Sequence, residues 1–364
     1  MSSKYCAVTP HDGHFVKPEI ARVKRTERPV WQDWQKNPDS DMPAPHPYLR
    51  AFVPLFAMYA ITLAAAVMIL NLRGISVSQG SLEAIGLSSA LIVGLIGLGC
   101  VLRSDIGMLA TLTAAGFIGM IAPLSTLSYA LTSVGAAFPL QDQLFASIDR
   151  AFRLDWLATV RFLNEFPLAI KILDASYHYT IFGMIYSLVF LNVVGRPERV
   201  LEFFWGVILT CIIVGVIAAL LPAVGAYPFH APAKDVRSAI AVEAGIWHLG
   251  DFEALRNRTF TVFDMNEAEG LVTFPSFHTA MALLIPLALR GYGWVTAAAW
   301  AFALVVVLST VPIGGHYFVD VAAGALLTVM TVAALARVTW INPVKSATAH
   351  VTMPQKEAQV HGPG

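Results

Sequence analysis

Long apolar runs, separated by short polar connections, set the pattern of this 364-residue chain. A helix needs about 20 apolar residues to cross the hydrocarbon core of a bilayer. Eight runs meet or approach that length, and they cover residues 51–72, 82–102, 107–131, 177–194, 200–224, 276–289, 293–311 and 317–340. Backbone groups in lipid must form their hydrogen bonds internally, and the strict alternation of a membrane barrel is absent. The pattern therefore predicts an all-α, polytopic membrane bundle of about eight transmembrane helices.

Two longer polar regions interrupt the runs. In residues 132–176 the apolar positions Leu144, Ile148 and Phe152 recur at helical spacing among charged residues, which is typical of helices that lie along the membrane interface. Residues 225–273 form a second polar loop. Because each region follows an odd-numbered run, both are predicted to lie on the same side of the membrane.

The chain divides by composition into four parts. Residues 1–50 are polar, Pro-rich and basic, without a short apolar core, so we expect a disordered cytoplasmic tail and no cleavable signal peptide. Residues 51–102 hold two additional transmembrane helices. Residues 103–341 form the domain that carries the candidate chemistry, and residues 342–364 form a second polar tail.

Composition agrees with a membrane protein. Hydrophobic residues make up 56% of the chain and charged residues 13%, whereas soluble domains carry about 25% charged residues. The formal net charge of zero gives no reason to expect a nucleic-acid partner. Cys6, Cys100 and Cys211 lie far apart, so they indicate neither a disulfide framework nor a zinc site.

The distribution of lysine and arginine predicts the orientation, because cytoplasmic tails and short loops carry an excess of both. Eight such residues lie in the N-terminal tail: Lys4, Lys17, Arg22, Lys24, Arg25, Arg28, Lys36 and Arg50. Placing this tail in the cytoplasm puts six others on the same side: Arg103, Arg196, Arg199, Arg290, Arg337 and Lys345. The opposite short connections carry Arg73 and little else. We therefore expect a cytoplasmic N terminus, with both long polar regions outside.

Two short stretches place ionisable residues at the borders of apolar runs. FPSFHTA (274–280) puts His278 at the start of the sixth run, and STVPIGGHYFVD (309–320) puts His316 and Asp320 at the start of the eighth. Because the sixth and seventh runs form a hairpin through the cytoplasm, all three residues are predicted to emerge at the outer face. Ionisable residues are costly at membrane depth, so these three are functional candidates.

The spacing of His316 and Asp320 favours catalysis. Residues four apart share one face of a helix, so the carboxylate can hold one imidazole nitrogen while the other stays free. Such a pair activates a nucleophile or a general base.

The flanking residues favour an anion as the ligand. Gly314 and Gly315 leave backbone amides open near the start of the eighth helix, and helix N-termini attract anions. Pro275 and Ser276 similarly open the sixth helix. Together with the two histidines, these helix ends predict a phosphate site.

At these residues the chain resembles the type 2 phosphatidic acid phosphatase superfamily, whose pattern has three parts, K-x6-R-P, P-S-G-H and S-R-x5-H-x3-D. The second part corresponds to residues 275–278 and the third to residues 309–320. The stretch GLVTFPSFHTA (270–280), together with HYFVD, is more similar to the inositolphosphotransferase branch, which includes fungal inositol phosphorylceramide synthases and many bacterial relatives. The resemblance implies a six-helix phosphatase-like core and, we expect, a bacterial inner membrane.

The chain departs from the family pattern in its phosphate-binding residues. Phe277 replaces the glycine of P-S-G-H, Thr310 replaces the arginine of S-R, and K-x6-R-P is absent. Another cation must then compensate, and Arg256 in the outer loop is the first choice because arginine can bind two phosphate oxygens at once. The further candidates are Arg258, Lys234 and Arg237 in the same loop, and Arg150, Arg153 and Lys171 in the earlier outer region.

The resemblance implies a two-step phosphoryl transfer without metal or cofactor. His316 would attack phosphorus, Asp320 would orient it, and His278 would protonate the leaving oxygen and then deprotonate the acceptor. Ser276 and backbone amides, including those of Gly314 and Gly315, would hold the phosphate oxygens. The implied substrate is a phospholipid or an isoprenoid phosphate in the membrane.

Several alternatives stay open. Water as acceptor gives a phosphatase, and an alcohol gives a transferase, including transfer of inositol phosphate onto a lipid. A transporter with a His–Asp proton relay and an inactive relative are the other readings. We expect His178, His230 and His248 to be solvated loop or interfacial histidines. We expect Asp142 and Asp149 to have a structural role at the interface.

Overall fold

The computed structural model describes residues 46–102, 104–230 and 243–337. Its helices are α1 (Pro47–Leu72), α2 (Gln79–Leu102), α3 (Asp105–Gly135), α4 (Asp142–Ala151), α5 (Trp156–Asn164), α6 (Pro167–His178), α7 (Thr180–Val193), α8 (Pro197–Leu220), α9 (Ala226–His230), α10 (Glu243–Ile246), α11 (Leu249–Arg256), α12 (Phe277–Ala288), α13 (Trp294–Thr310) and α14 (Phe318–Leu335). Two short strands, β1 (Ser76–Val77) and β2 (Val262–Phe263), pair in parallel. Four sequence-based assignments lie outside the described residues: Arg103, most of the N-terminal tail, the 342–364 tail, and the loop cations Lys234 and Arg237.

The all-α membrane bundle predicted from the sequence is confirmed. By length and composition, five helices are long and apolar enough to cross a membrane, namely α1, α2, α3, α8 and α14. α7, α12 and α13 are apolar but shorter. Each of the eight predicted runs therefore contains one apolar helix, and three of the eight fall short of a full span by length.

The start of the fourth predicted span is wrong. The chain is helical from Pro167 in the mixed region through His178, and it breaks at Tyr179 before α7 begins at Thr180. The residues predicted to lie along the interface form α4, α5 and α6. α4 turns Phe145 and its two acidic residues inward, and this face positions the site described below.

α3 and α8 pack against each other in the bundle. Their buried faces carry large apolar side chains, among them Leu112 and Phe204. Gly116 of α3 permits the approach, because a Cβ there would lie 2.9 Å from the Phe204 ring. α1 and α2 both pack on α3, and the buried residues of α2 are Ser81 and Gly99. α2 therefore leaves most of its apolar surface to lipid.

The two ends of the bundle differ in content. One end carries two polar contacts between helices, with His46 Nε2 3.1 Å from Asp105 Oδ1 and Arg290 2.7 Å from Glu202. The other end carries the β1–β2 pair, helices α4–α6 and α9–α11, and the starts of α12 and α14. The alternation of helices is the one assumed from the sequence. Which end faces the cytoplasm stays a prediction, as does the division into residues 51–102 and 103–341.

Candidate active site

The first turns of α12 and α14 lie against each other. The Ser276 amide donates a hydrogen bond to the Asp320 carbonyl oxygen at 3.0 Å. Gly324, one turn further along α14, permits this contact, because a Cβ there would collide with the Ser276 carbonyl oxygen. The structure therefore brings the two motif stretches to one place in the fold.

His316 and Asp320 form a buried pair at the start of α14. His316 Nδ1 lies 3.3 Å from Asp320 Oδ2, and the two side chains are 4% and 0% exposed. The Tyr317 amide donates to the same carboxylate oxygen at 2.9 Å, which fixes the rotamer of Asp320. Because Nδ1 faces the carboxylate, Nε2 is the nitrogen that stays free to react.

His278 lies in the first turn of α12 against Tyr177 of α6. The two rings stack with centroids 4.2 Å apart at 18°, and the Tyr177 hydroxyl is 3.2 Å from His278 Nδ1. Tyr177 also borders the loop of His316. A Cβ on Gly314 would lie 2.8 Å from Tyr177 Cε2 and 3.0 Å from His316 Cδ2. Tyr177 therefore connects the surroundings of His278 with those of His316, a role that the sequence did not indicate.

The N-terminus of α14 is occupied by carboxylates of the protein itself. The Phe318 and Val319 amides donate to Asp149 of α4, each at 2.9 Å, and the Tyr317 amide donates to Asp320. Among the glycines that precede α14, the Gly314 amide lies 3.4 Å from the Ser309 carbonyl oxygen. Two acidic side chains thus accept the amides of residues 317–319 at this helix end, and phosphate binding by Gly314 and Gly315 stays a prediction.

The N-terminus of α12 is the more open of the two helix ends. Ser276 caps it, since its buried Oγ accepts hydrogen bonds from the Thr279 amide at 3.3 Å and the Thr279 hydroxyl at 3.1 Å. Because Oγ already accepts two hydrogen bonds, Ser276 can bind a phosphate oxygen only by donating its hydroxyl hydrogen. The Phe277 and His278 amides, the first two of α12, have no acceptor within the described parts of the chain.

Asp142 and Asp149 are structural anchors on the inward face of α4. Asp142 accepts hydrogen bonds from the Val224 amide at 3.1 Å, the Gly225 amide at 3.0 Å and the Tyr317 hydroxyl at 3.0 Å. Burial raises the pKa of both carboxyl groups, and the hydrogen bonds that they accept oppose this rise. The two residues tie α4 to the loop after α8 and to the start of α14.

One segment of the chain, residues 143–334, contains both motif stretches and every residue of these anchoring contacts except Asp142. Residues 143–334 match the family model of the PAP2 superfamily. That segment is more than half of the 364-residue chain. The chain belongs to the PAP2 superfamily. Its members are phosphatases, which supports a phosphatase-type enzyme. No curated protein and no solved structure matches the chain.

The first two cations predicted from the sequence to bind phosphate lie at and just after the end of α11. Arg256, the first choice from the sequence, points its guanidinium at the C-terminal end of α3, where it donates to the Gly135 carbonyl oxygen at 3.4 Å and to that of Phe138 at 3.1 Å. Arg258 lies in an exposed turn with a positive φ of 60°. These contacts make Arg256 a cap of α3, and its role as a phosphate ligand stays a prediction.

His248 is buried, so its interpretation as a solvated loop residue is wrong. It is 5% exposed, and its Nε2 lies 3.0 Å from the Val224 carbonyl oxygen. Burial lowers the pKa of His248, and the nearby His316 lowers it further. The backbone around it also approaches the loop that precedes His316, since a Cβ on Gly245 would lie 3.6 Å from Gly315 Cα.

His230 and His178 are less buried than His248. His230 stacks on Trp156 with ring centroids 5.5 Å apart at 11°. His178 Nδ1 lies 2.9 Å from the Asp174 carbonyl oxygen, and its side chain is 39% exposed. In the described ranges, no three His, Cys, Asp or Glu residues are grouped to hold a metal ion.

Proposed function

We propose that this PAP2 superfamily member is an integral membrane phosphatase or phosphotransferase that acts on lipid phosphates through a phosphohistidine at His316. The observation that carries the proposal is the buried contact of 3.3 Å between His316 Nδ1 and Asp320 Oδ2, next to the first turn of α12 that holds His278. The carboxylate fixes the imidazole and stabilises the positive charge that develops on it, as in other base-and-orienter pairs.

The first step forms the phosphoenzyme. Nε2 of His316 attacks phosphorus, and the bond between phosphorus and the lipid oxygen breaks. His278 donates a proton to that leaving oxygen. The open Phe277 and His278 amides and the Ser276 hydroxyl stabilise the charge on the non-bridging oxygens.

The second step transfers the phosphoryl group to an acceptor. His278, now neutral, takes a proton from the acceptor hydroxyl, whose oxygen attacks phosphorus while the bond to His316 Nε2 breaks. With water as acceptor the products are inorganic phosphate and the lipid alcohol. We place the reaction at the outer face of the membrane, with the N terminus in the cytoplasm, and we expect no metal to take part.

A second candidate function is transfer of inositol phosphate onto a lipid. The stretch 270–280 and the HYFVD motif favour it by their similarity to the inositolphosphotransferase branch. In that reaction the phosphoryl group that His316 carries would bear an inositol, and the acceptor would be a lipid hydroxyl. The catalytic residues keep the same roles.

The test uses the purified full-length chain in detergent with EDTA. It is incubated with phosphatidic acid, diacylglycerol pyrophosphate, undecaprenyl pyrophosphate or inositol-labelled phosphatidylinositol with ceramide. Released phosphate identifies a phosphatase, and label on a new lipid identifies a transferase. We expect His316→Ala to abolish turnover and Asp320→Asn to lower it about 10²-fold or more, a size typical of a lost orienting group.

Two matched variants control for folding. His46→Ala and Asp105→Asn change a histidine and an aspartate at the opposite end of the bundle, and we expect both to keep wild-type turnover. Full activity of His316→Ala would refute the nucleophile. Activity that appears only after a divalent metal is added back would refute the metal-independent mechanism.

A further inference from the structure

We propose that Tyr177 is a positioning residue for His278, holding Nδ1 of that imidazole so that Nε2 faces the transferred phosphate. This inference rests on the proposed function, because it assigns the proton transfer to His278. Tyr177 is outside both motif stretches and belongs to α6, although the hydropathy pattern places it at the start of the fourth apolar run.

The contact involves both parts of the tyrosine side chain. The hydroxyl oxygen lies 3.2 Å from His278 Nδ1, and the phenol ring stacks on the imidazole at 4.2 Å and 18°. The phenol ring also packs against the loop that precedes His316. The ring is so close to Gly314 that a Cβ there would lie 2.8 Å from Tyr177 Cε2. Tyr177 is thus fixed by the two elements whose histidines must cooperate.

In this proposal the Tyr177 oxygen is the acceptor of its contact with His278 Nδ1, and that direction decides which nitrogen reacts. A tyrosine oxygen that accepts from Nδ1–H keeps that proton in place in both the charged and the neutral imidazole. Nε2 then carries the proton that goes to the leaving oxygen, and afterwards offers the lone pair that takes the proton of the acceptor. One tautomer serves both steps, and no ring rotation is needed between them.

The stacking contact supports the charged form. The face of a tyrosine ring attracts a cation within about 6 Å of its centroid. Burial disfavours a charged His278 most, and the nearby rings of His316 and His178 add repulsion. Tyr177 is the described aromatic neighbour of His278 whose oxygen and ring both act against these effects.

The variant Tyr177→Phe tests the oxygen, and Tyr179→Phe is its matched control. Tyr179 is two residues further on, at the break between α6 and α7, and it is 58% exposed. We expect Tyr177→Phe to lower kcat about 10- to 100-fold, part of the 10²- to 10⁴-fold worth of general acid–base catalysis, with KM changed less than about threefold. The basic limb of its kcat–pH profile should move to lower pH, because the charged imidazole has lost its acceptor. Tyr179→Phe should match the wild type.

A change of leaving group separates positioning from a structural role. The rate of phosphoenzyme formation is compared for an alkyl phosphate, whose leaving oxygen needs a proton, and p-nitrophenyl phosphate, whose leaving oxygen does not. We expect the Tyr177→Phe defect to be at least about tenfold smaller with p-nitrophenyl phosphate, since that reaction bypasses the acid. Equal defects on both substrates would overturn the inference.

A spectroscopic measurement keeps the inference testable without activity. The ring ¹⁵N signals of His278, identified by their loss in His278→Gln, should report protonated Nδ1 in the neutral wild-type ring. Tyr177→Phe should shift the population toward protonated Nε2. The role of Tyr177 is refuted if the tautomer of His278 is unchanged in Tyr177→Phe. It is also refuted if Tyr177→Phe has wild-type kinetics while His316→Ala is inactive. Either result leaves the proposed function standing. If the wild type turns over none of the substrates, the proposed function itself fails.

Discussion

Asp149 and Phe318 are joined by a hydrogen bond of 2.9 Å, although 169 positions separate them in the chain. The same carboxylate accepts the next amide, that of Val319, at 2.9 Å. An acidic side chain at this place satisfies donors that a helix start leaves free and interacts favourably with the helix dipole. α4 thereby holds the start of the helix whose first turn contains Asp320.

Replacing Asp149 is therefore expected to disturb catalysis without touching the reacting groups. Asp149→Ala leaves two amides of α14 without their acceptor, and the loss of a cap costs about 1–2 kcal/mol. We expect a lower Tm in detergent and a fall in kcat/KM of roughly 10- to 100-fold, since a small misplacement of reacting groups has effects of that size. Asp155→Ala removes the cap of α5 instead and should leave kcat/KM within about threefold. Equal kinetic losses in both variants would contradict this role for Asp149.

Arg256 is expected to matter for stability and not for phosphate. Its guanidinium binds the Gly135 and Phe138 carbonyl oxygens at the end of α3. Arg256→Ala should therefore lower the Tm while changing KM for a lipid phosphate less than about threefold, because a net hydrogen bond contributes about 1 kcal/mol to folding. Arg258→Ala, two residues away, should change neither quantity. A rise in KM of tenfold or more in Arg256→Ala at unchanged Tm would restore it as the phosphate ligand.

Gly314 is a position where one methyl group should impair the site. A Cβ there would lie 2.8 Å from both Tyr177 Cε2 and the Thr310 carbonyl oxygen, so the loop of His316 would have to move. We expect Gly314→Ala to fold but to lose about tenfold or more in kcat, by the same sensitivity to misplacement. Gly250→Ala is the control, since a Cβ in its place on α11 meets no atom of the described residues within 4 Å. Wild-type kcat in Gly314→Ala would show that the loop tolerates the shift.

The burial of His248 predicts a pH-dependent stability. Burial lowers its pKa in the folded chain, whereas an unfolded histidine takes up a proton near pH 6.5. Below that pH the unfolded state binds more protons, so this histidine makes the fold less stable as the pH falls. His248→Gln removes the titratable imidazole, and the glutamine amide can still donate a hydrogen bond to the Val224 carbonyl oxygen. We expect the drop in Tm between pH 7.5 and 5.5 to be smaller in His248→Gln.

His230, whose pKa burial also lowers, contributes in the same direction and remains in both proteins. The prediction fails if His248→Gln and the wild type lose the same number of degrees over this pH range.

Hydropathy and spacing predicted the features that depend on neighbouring residues. Each long apolar run contains a helix because transfer into lipid and internal hydrogen bonding depend on local composition. The pairing of His316 with Asp320 follows from four-residue spacing on one helix. The start of the fourth span was misplaced because hydropathy does not register the break at Tyr179, which separates two helical segments.

The rest of the site depends on contacts between distant elements. Tyr177 reaches His278 across 101 positions, and Asp149 reaches α14 across 169, so no local pattern reveals either contact. Charge and closeness in sequence to the P-S-F-H stretch favour Arg256 as a phosphate ligand. Its guanidinium instead donates to carbonyl groups at the end of α3. The sequence does not indicate this contact, because it depends on how α11 packs against α3.

The β1–β2 pair gives the first two helices a mechanical link to the catalytic end. Ser76 and Val77, in the turn between α1 and α2, align with Val262 and Phe263 in the segment that leads into α12. Ser81 strengthens the joint by accepting the Met265 amide at 2.7 Å. A tilt of the α1–α2 hairpin, such as a change in bilayer thickness could cause, would pull on β2, which precedes the His278 helix in the chain. We therefore expect turnover in bilayers to vary with the chain length of the surrounding lipid.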